Sequence, residues 1–164
     1  RFSFENFDCS QIPFGDNEFD LIIANHVLFY CDDLDKVLSE IYRVLKPNGK
    51  FICSTYGSKH MYEIDKLVKS FDSKIILSNN KLYEKFGLDN GEHLIRNYFE
   101  NISLKMYDDY LDVTESEPLI EYILSCHGNQ NEYILSKYQE FKSYVEKKFP
   151  LHITKEAGIF ICNK

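Results

Sequence analysis

The sequence predicts an α/β protein, a three-layer sandwich around a mostly parallel sheet, and three stretches carry that expectation. Phe19-Asp-Leu-Ile-Ile-Ala24 is a near-continuous apolar run of strand length, the pattern of a parallel strand covered on both faces. Leu34, Val37, Leu38, Ile41, Val44 and Leu45 then recur three and four apart, which places one apolar stripe on a helix. Lys50 to Thr55 returns to a strand pattern. Strand, helix and strand with short joints make a βαβ unit, whose crossover is right-handed in nearly every case.

The other elements follow in order. Phe2-Ser-Phe-Glu-Asn-Phe7 alternates apolar and polar and reads as a short strand ended by Asp8-Cys9-Ser10. Ile12-Pro-Phe-Gly-Asp-Asn17 is a turn punctuated by Pro and Gly. Asp32-Asp33 offers carboxylates to cap the helix, and negative charge suits the positive end of its dipole. Pro47-Asn48-Gly49 stops it. Met61, Ile64, Leu67, Val68 and Phe71 have helical spacing, as do Leu94, Ile95, Tyr98 and Phe99. Ile102 to Val113 reads as one long, bent strand. Helices are expected at 117–126 and 131–149, the second broken by Pro150, and Ala157 to Cys162 closes the chain as a strand. The organisation expected is one domain: a core over 1–57, a lid and helical segment over 58–100, and a helical cover over 114–150.

Composition excludes several function classes. The chain has 164 residues, 44% hydrophobic, with 19 basic against 26 acidic side chains and a formal charge of −7. No basic block is present, so wrapping nucleic acid through its phosphates is not expected. The five cysteines, at 9, 31, 53, 126 and 162, form no CxxC. Neither a disulfide framework nor a zinc knuckle follows, and the adjacent Cys126-His127 has no third ligand at metal spacing, so no metal is expected. No apolar stretch spans a bilayer and no signal peptide is visible. The expected setting is the cytoplasm, with reduced thiols.

Open α/β sheets bind ligands at the carboxyl ends of their strands. Three such ends stand out: Asp8-Cys9, Asn25-His26 and Thr55-Tyr56. An imidazole such as that of His26 suits a general base or a positioning group. Tyr30, Tyr56 and His60 lie just beyond these ends and are the expected lining of a substrate pocket. Aromatic faces such as that of Tyr30 also suit a cation.

Ile12-Pro-Phe-Gly-Asp-Asn-Glu-Phe-Asp20 followed by Leu21-Ile-Ile-Ala, and Leu38-Ser-Glu-Ile-Tyr-Arg-Val-Leu-Lys-Pro-Asn-Gly-Lys50, resemble two consecutive segments of the class I S-adenosylmethionine-dependent methyltransferases, of the type 11 kind. The resemblance is tight over about residues 7–56 and looser beyond. It implies a Rossmann-like sandwich holding the third to seventh strands of that family, the last antiparallel to the others and preceded by a helical insertion. It implies S-adenosyl-L-methionine as cofactor. Asp8 matches the acidic residue that accepts from the adenine amino group, and the Cys9 N–H matches the donor to an adenine ring nitrogen. Asn25 and His26 match the segment beside the methionine part of the cofactor, facing the acceptor. The family's glycine-rich loop is absent, and the seven glycines include no GxGxG. Two missing βα units amount to roughly 60 residues at about 30 per unit, so the chain reads as the carboxyl-terminal portion of a longer methyltransferase. Alone it is expected to be incompetent and to self-associate through an exposed sheet edge. The expected function of the complete protein is methyl transfer to a small molecule; a non-catalytic partner subunit or degenerate domain is the alternative.

Overall fold

The computed structural model describes residues 2–164. Its strands are β1 (Phe19–Asn25), β2 (Leu45–Tyr56), β3 (Asn101–Tyr107), β4 (Tyr110–Val113), β5 (Leu151–Thr154) and β6 (Ala157–Asn163). Its α-helices are α1 (Leu34–Val44), α2 (Tyr62–Phe71), α3 (Leu82–Lys85), α4 (Gly91–Ile95), α5 (Ser116–Ser125), α6 (Gln130–Ile134) and α7 (Tyr138–Glu146). The chain divides into two compact units. The first takes the residues up to Ser58 with 82–107 and 157–164, and the second takes 59–81 and 108–156. The expected 58–100 segment is therefore shared between them.

The first unit holds a four-stranded sheet in the order β1-β2-β6-β3. β1 and β2 run parallel, and β6 lies antiparallel to both β2 and β3, which is the orientation expected of the last strand. Phe51 and Cys53 of β2 and Phe160 and Cys162 of β6 are fully buried. They meet Val37, Leu38 and Ile41 of α1 together with Phe86, Ile95 and Phe99. The Phe51 and Phe99 rings stack at 5.6 Å. Burial raises both core thiols, Cys162 to about 12, so these two behave as inert apolar groups.

The ends of α1 are set by charge. The Asp33 carboxylate accepts from the Lys36 N–H at 3.0 Å, the expected N-cap. At the other end Lys164 donates to the Tyr42 and Leu45 carbonyls at 2.6 and 2.7 Å, two acceptors that the helix itself leaves open. Arg43 donates to the Ile12 and Phe14 carbonyls and to Asp16 and Glu40. It thereby pins the Ile12–Asp16 turn to the helix. Asn48 takes a left-handed φ of 65°, and a Cβ on Gly49 would sit 2.8 Å from the Lys46 carbonyl oxygen. The Pro-Asn-Gly turn is thus fixed sterically.

Four expectations are corrected. Phe2 to Phe7 forms no strand, and Phe2 and Phe4 are 94% and 95% exposed. Alternation makes a strand only where a neighbour takes its hydrogen bonds, and none does so here among the described residues. β1 is not covered on both faces: Ala24 is buried, but Leu21 and Ile23 are 48% and 63% exposed. The long strand at 102–113 breaks at Asp108-Asp109 into β3 and β4, which belong to different sheets. The helix at 131–149 is divided into α6 and α7 by a 3₁₀ turn over Leu135–Lys137.

In the second unit α2, α5, α6 and α7 surround Ile64, Val68, Ile120, Ile123, Ile134, Phe141 and Val145. β4 and β5 pair antiparallel from Tyr110 opposite Thr154 to Val113 opposite Leu151. β5 was not expected from the sequence. Glu63 accepts from the Thr154 N–H and hydroxyl, tying α2 to that ribbon.

Candidate functional site

β1 ends where its chain leaves the sheet. Asn25 lies opposite Ser54 in the β1–β2 register. The Ser54 hydroxyl donates to the Asn25 side-chain oxygen and accepts from the His26 N–H at 3.0 Å. His26 itself holds a left-handed φ of 50°. Such a backbone costs energy for a residue with a Cβ and persists only where its surroundings enforce it. Ser54, nearly buried at 9%, is the enforcer, and reading by local pattern missed it. Its signal was a hydroxyl inside the apolar run Phe51-Ile-Cys-Ser-Thr-Tyr56, two residues before the strand end.

Around His26 is an aromatic group. Its ring lies 6.4 Å from Tyr56, nearly parallel, and 6.2 Å from Phe29. Phe29 in turn meets Tyr30 at 4.8 Å and Tyr56 at 5.5 Å.

Two cavities open at this end of the first unit. One, about 390 Å³, is lined by His26, Ser54, Lys105, Tyr107, Ala157 and Ile159 among others. The other, about 330 Å³, is lined by Asp8, Cys9, Ser10, Tyr30, Cys31 and Asp33 among others. The consecutive residues His26 and Val27 face different cavities. Of the expected site residues, Asp8, Cys9 and Tyr30 share the second cavity and His26 borders the first. Asn25 and Tyr56 flank His26. His60 falls in the second unit.

In the second cavity, the Asp8 carboxylate accepts from the Ser10 N–H at 2.8 Å. That bond holds its carboxyl below the usual carboxylate range, so it is an anionic acceptor at neutral pH. The Cys9 N–H donates to nothing among the described residues. Acceptor and donor on consecutive residues match the amino group and ring nitrogen of adenine, and the cavity volume suits a purine. The residues present therefore fit the adenine end of S-adenosylmethionine. Burial raises the Cys31 thiol, with Cys9 and Asp8 adding to the effect. No cluster able to hold a metal ion occurs among the described residues.

Residues 2–53 match the family model described as "Methyltransferase domain". Over 58 residues the chain is 56% identical to the sterol 4-C-methyltransferase of Caenorhabditis elegans, a match covering 35% of this chain and 17% of that protein. Over 68 residues it is 38% identical to the biotin biosynthesis bifunctional protein of Saccharophagus degradans, covering 42% of this chain and 12% of that protein. The chain thus spans less than a fifth of either relative. The crystal structure of the YcgJ protein of Bacillus subtilis superposes with a TM-score of 0.57 at 14% identity, covering 98% of this chain and 70% of that one. At that identity the likeness is one of fold. Residues 2–53 thus resemble a methyltransferase domain, and the likeness of fold extends over nearly the whole chain.

Proposed function

We propose that the full-length protein transfers a methyl group from S-adenosylmethionine to a small molecule. The observation that carries this reading is the Asp8 carboxylate beside the free Cys9 N–H in one cavity, with His26 bordering the next. Asp8 would accept from the adenine amino group and Cys9 would donate to a ring nitrogen. Asn25 and His26 would border the methionine part. When bound, the cofactor supplies an electrophilic methyl group. Methyl transfer is an in-line displacement, so fixing the acceptor is the larger contribution of the protein. Ser54 holds the His26 backbone for that task, and the imidazole can take the proton of an alcohol or amine acceptor. Tyr30 and Tyr56 shape the surroundings.

The 164-residue chain, with no GxGxG among its seven glycines, supplies only part of the cofactor site and is not competent alone. The reading places the protein in the cytoplasm, and no described helix is long and apolar enough to cross a membrane. β1 is one of the two edge strands of its sheet and bears the exposed Leu21 and Ile23, so its open edge would pair with a second copy. Sedimentation should reveal dimers as concentration rises; a strict monomer at high concentration would contradict this.

The test of function is release of S-adenosylhomocysteine by full-length protein across a panel of acceptors. One acceptor should raise it above background, and His26→Ala should lower turnover by at least about tenfold with the cofactor KM little changed. Background release with every acceptor would favour the non-catalytic partner subunit.

A further inference from the structure

We propose that the cavity between His26 and Lys105 takes a compound with an acidic group, a carboxylate or a phosphate, set about one ring's width from the atom that meets His26. The role of that compound as methyl acceptor rests on the function proposed above; its binding does not.

Register places the relevant residues in one row. Asn25 lies opposite Ser54, Ser54 opposite Ile159, and Ile159 opposite Lys105. Residues opposite one another in a sheet project to the same face. With strands about 4.8 Å apart, Ser54 and Lys105 are roughly 10 Å apart across Ile159. The cavity of about 390 Å³ is bounded by these residues with His26, Tyr107 and Ala157. Ile159 and Ala157 give an apolar floor that suits a ring. Lys105 at one end and His26 at the other give its polar groups.

The charge is selective. The chain carries 26 acidic and 19 basic side chains, yet no carboxylate lines this cavity. The neighbouring cavity has Asp8, Asp32 and Asp33 and no basic residue. Lys105 has no ion-pair partner among the described residues. An ammonium acts as a point charge toward carboxylate or phosphate.

The test is nuclear magnetic resonance of the 164-residue chain with four ring probes: benzoate, phenyl phosphate, benzyl alcohol and benzylamine. Saturable shifts are expected at the His26, Gly158 and Ile159 amides with at least one anion, and at least about tenfold weaker binding for the alcohol and amine. Lys105→Gln should abolish that preference, while Lys50→Gln should leave it intact. Equal binding of neutral and anionic probes, or a preference that survives Lys105→Gln, would overturn the proposal. Cofactor binding is read separately at the Asp8 and Cys9 amides. Failure there with the anion preference intact removes the adenine site assigned to Asp8 and Cys9, on which the methyl-transfer reading rests, and leaves this one standing.

Discussion

Phe160→Ala is expected to lower the stability of the first unit by about 3–5 kcal/mol, the cost of removing a buried aromatic ring and leaving a cavity. Phe160 is fully buried on β6, between β2 and β3. Its ring meets Phe86 at 6.0 Å. It also fills the space over Gly91, where a Cβ would lie 2.6 Å from the ring. Backbone pairing on both sides of β6 leaves the surroundings little freedom to collapse. At roughly 2–4 °C per kcal/mol for a chain of this size, the melting temperature should fall by about 6–20 °C. Met106→Ala, at a residue 54% exposed on the adjacent edge strand, should cost far less. Denaturant unfolding followed by circular dichroism decides, and a Phe160→Ala loss below about 1 kcal/mol would contradict the packing described.

Asp8→Ala should weaken cofactor binding with little loss of stability. Its carboxylate is exposed, so little packing is lost. A hydrogen bond to a charged acceptor is worth about 1.5–3 kcal/mol, or roughly a factor of ten or more in affinity. The pH dependence follows from the same bond. The Ser10 N–H stabilises the ionised form and lowers the Asp8 pKa. Its contribution to stability is present above the unfolded-state value and is lost as pH falls through the lower folded value. Binding through Asp8 should therefore be flat from neutral pH down to the ordinary carboxylate range and decline only below it. A decline already complete between pH 7 and 6 would assign the interaction to another group.

Periodicity exposed those parts of the fold whose determinants are local. α1 was legible because its stripe, its Asp33 cap and its Pro-Asn-Gly stop all lie within about twenty residues. The pairing of distant strands was not. Phe2 to Phe7 and Phe19 to Ala24 have strand patterns, yet the first has no partner and the second exposes one face. Apolar sequence alone does not say what lies opposite. β5 has only four residues, too few for a periodic signal, and its pairing with β4 gives it identity. At the site, the positions of Asn25 and His26 at the end of a strand were legible, whereas Asp8 follows a segment that forms no strand. Ser54 and Lys105 were not, since their roles come from the row Asn25-Ser54-Ile159-Lys105, assembled across four strands.

The most direct test is a titration of the 164-residue chain with S-adenosylhomocysteine, read amide by amide by nuclear magnetic resonance and in parallel by calorimetry. Weak binding is expected, weaker than micromolar, with shifts concentrated at Asp8, Cys9, Ser10 and Val27 to Asp33 and diminished in Asp8→Ala. Absence of shifts at these positions at millimolar ligand would contradict the adenine site. Micromolar binding by the chain alone would contradict the proposal that it supplies only part of that site.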